Sequence, residues 1–479
     1  MSSSIQRRTV LPALAALVAA GLGGGAASAA STPNPPDVGC FWAPYTNVTP
    51  ATPEGNVGFP ATGSNVTYFL NKFTLPAGSH LVVRGTYPQA RYMSFNAYYS
   101  DPVYGNGIPS DALYDQQIRP DAGSANPFLP GAKRTPNKKG RNWTVVVSGE
   151  TPPADPAKRA ENTLYAGTIG PDKDQPAELF YRVYVPDKNT DVFGNGGVPQ
   201  ATLVLADGSE LSGQALCDAT NVDRSRLKPN SMPNATFQQL THLPANPAIN
   251  AAGSSPMAPA VESGPWYRPL NPCHFTDPFF EAAGYPRQSS CPDTLGLTQW
   301  PTKDNAYISA YIDRRFGPAA VGRNIVVLTG KMPTTPRTFK GNPRFDGSTQ
   351  MRYWSVCSNE GLVTTAVTVD DGCVYDEQIP VDRKGNYRIV VSMPEDRPAN
   401  ATRRNGVAWV NWGNGDGATP NRPTSGVLLV RNMLPDSSFA QSIQRIPAPG
   451  LPADVEATMG RYMPKITYMS TEQFEARSR

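Results

Sequence analysis

The chain has 479 residues, a formal net charge of +4, and 17% charged against 39% hydrophobic residues. So small a charge, spread without a basic cluster, argues against nucleic-acid binding, and no segment after the first thirty residues comes close to a stable membrane span. Fifty prolines and 42 glycines disfavour long helices, while recurring Val/Tyr/Phe/Thr runs predict short strands joined by turns, an all-β class.

Residues 1–30 combine Arg7-Arg8, an apolar run and the small-residue step Ala27-Ser28-Ala29, the pattern of an export signal cleaved near residues 29–30. The arginine pair leaves both the general secretory and the twin-arginine routes open. The expected destination is secreted or in the extracellular cell envelope.

An N-terminal segment, 31–59, leads into a first β-domain at 60–217. Its strand-like runs are NVTYFLNKFTLPAGSHLVVRGTYP, RYMSFNAYY, ALYDQQIRPD, NWTVVVS and LFYRVYVPD, in that order. A Pro-rich, Cys-containing connector at 218–299 follows, and then 300–450 repeats the order with NAYISAYID, NIVVLTGKMP, RYWSVCSNE, CVYDEQIPVD, NYRIVVS and LLVRNMLPD. From Arg91 to Asp121 the offset to the second copy stays at 261 residues, so Arg91 maps on Arg352, Ser94 on Ser355 and Asp115 on Asp376. The expectation is two related, jelly-roll-like β-sandwiches made by internal duplication, with 451–479 as a C-terminal tail.

Six cysteines in an exported chain suggest three disulfides. Cys357 and Cys373 stand where the first copy has Asn96 and Ala112, so the two come and go together, as a bonded pair should. Cys273 and Cys291 are close neighbours in the connector, which leaves Cys40 for Cys217.

Read as a strand, RYMSFNAYY puts Met93, Phe95 and Ala97 on one face and Tyr92, Ser94, Asn96 and Tyr98 on the other. The first is a core face; the second either lines a ligand groove or is covered by a neighbouring loop. Asp115 and Asp376, with Arg182 and Arg431, recur in both copies and are expected to form buried Arg-to-carboxylate pairs. Asp187-Lys-Asn189-Thr-Asp191 begins like a calcium loop but lacks its glycine and closing glutamate, which suits an Asn/Asp turn and leaves calcium open.

Residues that the repeat does not explain are the candidates for an asymmetric site. Trp266 and Tyr267 are expected to touch ligand, and His274, Asp277 and Tyr285 to do any catalysis. The chain has no G-x-S-x-G elbow, H-E-x-x-H helix, P-loop or dinucleotide-binding glycine motif, so no cofactor is expected.

The run LFYRVYVPD and the LADGSEL that follows it, with an upstream Asn142-Trp143, resemble an uncharacterised bacterial family, domain of unknown function 1214. The resemblance covers residues 81–210 and lacks the Asn-Trp-Leu-Pro-Ala-Pro step before the last strand. It implies a β-rich exported domain and carries over no catalytic residue. The expected function is binding of a carbohydrate or other small envelope ligand through Tyr/Trp/Asn surfaces. An extracellular hydrolase with its site between the domains, and a structural envelope protein, are the alternatives.

Overall fold

In the computed structural model the described residues are 39–45, 66–100, 107–132, 134, 140–222, 254–255, 258–259, 266–268, 302–313, 324–340, 345, 347–359, 371–413, 425–448 and 450–477. The export signal, His274, Asp277, Tyr285 and the expected Cys273 to Cys291 bridge lie outside them.

The first repeat supplies β1 (Ala43–Tyr45), β2 (Val66–Leu75), β3 (His80–Thr86), β4 (Ala90–Ser100), β5 (Gly107–Tyr114), β6 (Asn142–Ser148), β7 (Thr163–Tyr165), β8 (Gln175–Pro186), β9 (Gln200–Val204) and β10 (Glu210–Leu211). A short hairpin of β11 (Ser254–Ser255) and β12 (Ala258–Pro259) belongs to the connector. The second repeat supplies β13 (Asn305–Asp313), β14 (Asn324–Lys331), β15 (Met351–Asn359), β16 (Cys373–Tyr375), β17 (Asn386–Ser392), β18 (Ala408–Asn411), β19 (Ser425–Pro435) and β20 (Lys465–Ser470).

Period-two alternation decides which residues face inward. Sheet β1-β2-β8-β4-β5 packs on sheet β10-β9-β3-β6-β7 around Phe69, Val83, Phe95, Trp143 and Tyr181. Sheet β13-β19-β15-β16 packs on sheet β18-β17-β14-β20 around Ile308, Leu328, Trp354, Ile389 and Val430. The protein is therefore an all-β chain of two sandwiches, and its described residues from 39 onward belong to one compact unit.

Strands β2 to β9 of the first sandwich match β13 to β20 of the second in order, while β1 and β10 have no counterpart among the described residues. In both, the fifth strand of the matched set runs parallel to its edge neighbour, β6 with β7 and β17 with β18, against antiparallel pairing elsewhere. The match also extends past its expected end. The expected tail from residue 451 is, through residue 477, part of the fold: β20 pairs antiparallel with β14 as β9 does with β3, and Ile466 is fully buried in the second core. QATLV in β9 and KITYMS in β20 share almost no residues, so only the pairing reveals that they are equivalent.

A cross-strand glycine recurs too. Gly85 lies opposite Trp143 and Gly330 opposite Tyr387, and a Cβ on either glycine would come within 2.3 Å and 2.8 Å of the facing side chain. The absent side chain leaves room for the aromatic to lie across the neighbouring strand.

Cys357 and Cys373 are bonded and sit directly opposite each other on β15 and β16, where β4 and β5 oppose Asn96 and Ala112. Cys40 is bonded to Cys217, in the helix α1 (Gly213–Ala219), so the start and end of the first sandwich are tied together.

Candidate functional site

The expected groove of Tyr92, Ser94, Asn96 and Tyr98 is closed, since all four are completely buried. What covers them is not a loop but the equivalent face of the other repeat: Tyr68, Tyr92, Tyr98, Phe180 and Tyr184 form one apolar cluster with Tyr353, Tyr375 and Met433. Tyr184 sits edge-to-face between Tyr92 and Tyr353, at 5.2 Å from each. A half-polar strand face that looks like a binding surface is here an interface between twins, where tyrosine buries a ring and still satisfies its hydroxyl.

The charged residues of this interface are exchanged between the repeats. Arg91 of the first donates to Asp376 of the second at 2.7 Å and to Glu377, while Arg352 of the second donates to Asp115 of the first at 3.1 Å. Since Arg91 matches Arg352 and Asp115 matches Asp376, the contact is isologous, as across a two-fold axis. Each aspartate also accepts a backbone N–H within its own repeat, Asp115 from Met93 and Asp376 from Trp354, both at 3.0 Å. Burial works against the Arg91 charge, yet Asp376 and Glu377 together hold its pKa above the ordinary arginine value.

The backbone is unusual opposite both exchanged arginines. Val185 and Leu434, equivalent residues before Pro186 and Pro435, have φ of 49° and 41°. A left-handed residue with a large side chain costs ~1–3 kcal/mol. Around Arg91 the ladder pairs Ala90 with Pro186 and Tyr92 with Tyr184; around Arg352 it pairs Met351 with Pro435 and Tyr353 with Met433. Strain thus recurs opposite each exchanged arginine.

Arg182 and Arg431 do not take the partners expected of them. Arg182 donates to Asn96 and lies over the rings of Phe180, Tyr68 and Tyr98; Arg431 donates to the Tyr184 hydroxyl at 3.1 Å and lies over Tyr307 and Tyr184. Asp115 and Asp376 are already engaged by Arg352 and Arg91, so the strand arginines rest on tyrosine faces instead.

At the seam, the buried Tyr92 hydroxyl donates to Asp304 Oδ2 at 2.5 Å. Burial pushes the Asp304 carboxyl up from 3.8 to about 6, with the Tyr92 hydrogen bond opposing. The folded chain therefore holds a proton that the unfolded chain releases between pH 3.8 and about 6, so stability falls as pH rises through that window. Asp304→Asn is expected to raise stability by ~2 kcal/mol at pH 7.5 and by almost nothing at pH 4, seen as a Tm gain confined to the higher pH. An equal gain at both pH values would refute the assignment.

Asp187 and Asp191 serve the turn after β8. Asp187 pairs with Arg134 at 3.3 Å, and Asp191 Oδ1 accepts the backbone N–H groups of Phe193 at 3.0 Å and Asn195 at 2.7 Å. These are Asx-turn contacts.

An open cleft of about 1070 Å³ lies at one end of the second sandwich, where β14, β17 and β20 meet residues 452–463. Register sets Arg388 of β17, Thr329 of β14 and Lys465 of β20 side by side on the outer face of that sheet. Lys331 and Arg461 add two more cations to the lining. Of the two acids among the described lining residues, Asp382 is engaged by the backbone N–H and side-chain amide of Asn386 and by the N–H of Lys384, which hold its pKa below the ordinary value, and Glu456 is exposed. From the core side comes Tyr387, 3% exposed, whose hydroxyl has no hydrogen-bond partner; burial pushes its pKa up, so it keeps its proton.

Among the described residues expected at a site, only Trp266 reaches this cleft, and its indole N–H donates to the Pro464 carbonyl at 2.6 Å, fastening the connector to the segment before β20. Tyr267 is buried and forms an isolated antiparallel bridge with Ser309 of β13, exchanging backbone hydrogen bonds of 2.9 Å. The cleft cations were missed from sequence. Arg388 and Lys465 show there only as outward positions of alternating strands, and their adjacency depends on a pairing between residues 388 and 465 through 329 that no local pattern encodes.

No family model matches the chain, and no curated protein matches it. Solved structures that do match include an uncharacterised protein of Burkholderia cenocepacia, at 12% identity and TM-score 0.45, covering 91% of this chain and 83% of that one. Another is a structural-genomics target from Vibrio parahaemolyticus, at 12% identity and TM-score 0.34, covering 84% of this chain and 88% of that one. Among the described residues no helix is long and apolar enough to cross a membrane.

Proposed function

We propose that the chain is an exported binding protein whose ligand, a carbohydrate or other small hydroxylated molecule of the cell envelope, enters the cleft of the second sandwich. The observation that carries this reading is the cleft itself, built largely from residues outside the duplicated strands: Trp266 of the connector and Pro452, Glu456, Arg461 and Met463 ahead of β20. A duplicated scaffold gains an asymmetric function where one copy is elaborated, and here Trp266 and residues from 452 to 463 line the cleft at the second sheet. The disulfides and the N-terminal export pattern support an oxidising, extracytoplasmic location.

Catalysis draws less support from the cleft. Among the described residues, Asp382 is engaged by its own turn, which leaves Glu456 without the second free carboxylate that hydrolysis by paired acids requires.

Thr329→Trp tests the proposal, because Thr329 is half-buried between Arg388 and Lys465 and its side chain points outward. On an array of envelope glycans the wild-type chain is expected to give signal and the variant to lose it, with Tm held within ~2 °C. A variant that binds like wild type, or a wild-type chain that binds nothing, refutes the proposal.

A further inference from the structure

Lys331, Arg388, Arg461 and Lys465 all line the cleft, and none of them makes an ion pair with a described carboxylate. The exchanged arginines of the interface, by contrast, are ion-paired: Arg91 with Asp376 and Glu377, and Arg352 with Asp115. Arg388 and Lys465 are exposed, and they are separated by two strand spacings, roughly 10 Å, with the Thr329 hydroxyl midway. A row of cation, hydroxyl and cation across three neighbouring strands suits a ligand with spaced acidic groups and hydroxyls between them. The Tyr387 hydroxyl, buried and without a partner, belongs to the same lining but comes from the core side of the sheet.

Resting on the reading of this cleft as the binding site, we infer that its ligand is an acidic saccharide chain, with carboxylates on alternate sugars held by Arg388 and Lys465 and the intervening sugar hydroxyls facing Thr329. Guanidinium and ammonium contacts to carboxylate are charge-assisted, and Arg388 offers the planar fork that grips a carboxylate with two parallel N–H groups. Lys331 and Arg461 raise the local potential and hasten capture of an anion. The site is therefore selective for charge as well as for sugar.

The test is titration calorimetry of the full chain with a uronate tetrasaccharide, its methyl-esterified neutral counterpart and inorganic phosphate. The uronate is expected to bind at least ~10-fold more tightly than the ester, and more weakly as salt is raised. Arg388→Gln and Lys465→Gln together should weaken the uronate by ~100-fold and leave the ester unchanged, with Tm held because both side chains are exposed. If the ester binds as well as the uronate and Thr329→Trp abolishes both, the inference about charge falls while the binding cleft stands. Phosphate binding as tightly as the uronate overturns the saccharide assignment in favour of a simple anion site. Uronate binding untouched by Thr329→Trp places the ligand elsewhere and overturns both readings, and no uronate binding at all overturns this one.

Discussion

Arg91→Met is expected to lower stability by ~3–5 kcal/mol at pH 7.5, because it leaves Asp376 and Glu377 buried side by side without their cation. The two carboxylates keep their backbone donors, Trp354 for Asp376 and Phe339 and Lys340 for Glu377, so the loss comes from repulsion and burial of charge rather than from unmade hydrogen bonds. Urea unfolding at pH 7.5 measures it directly. Arg352→Met is the control, since it abandons only one acid, Asp115, which still accepts from Met93, and a smaller loss is expected there. Equal losses for the two variants would refute the added cost of the second abandoned acid, and a loss for Arg91→Met below ~1 kcal/mol would show that the exchanged pairs do not hold the twins together.

Removing the Cys40 to Cys217 bridge by paired serine substitutions is expected to cost ~5 kcal/mol, against ~3 kcal/mol for the Cys357 to Cys373 bridge. The difference follows from the closed loops, with sequence separations of 177 and 16, because a cross-link restricts the unfolded chain more when the loop is long. The short bridge joins residues already opposed in a ladder, so β15 and β16 keep their register without it. The long one closes the first sandwich, joining the residues before β1 to α1. Denaturant midpoints of the two double variants, with the slope checked for constancy, give the comparison. A larger loss from the short bridge would contradict the chain-entropy account.

Much of the architecture was legible because it rests on local chemistry. Alternation in RYMSFNAYY put Phe95 and Ala97 in the core, where both are fully buried, and the joint appearance of Cys357 and Cys373 anticipated a bridge that the register of β15 and β16 makes. The polar face of the same strand misled, because Tyr92 to Tyr98 look alike whether they face a ligand or a twin sheet. The pairing of Arg182 and Arg431 with acids misled for a related reason: charge type is visible in a sequence, but which of several arginines reaches a given carboxylate depends on how two sheets are laid against each other. The C-terminal strand β20 was hidden because a pairing partner needs only alternating apolar residues, and KITYMS carries no trace of its twin QATLV.

By itself, the sequence determined the strand class, the duplication, the core face of each matched strand and the two described bridges, since these follow from spacing and alternation that one chain displays. The tertiary structure alone decided that the twins meet face to face with exchanged ion pairs, and that Arg388, Thr329 and Lys465 form one row beside Tyr387. Those features depend on contacts between residues up to 286 apart, as Arg91 and Glu377 are, and such contacts are set by the packing of whole sheets. Whole-sheet packing depends on the summed burial of many side chains, and no single stretch of sequence carries that sum.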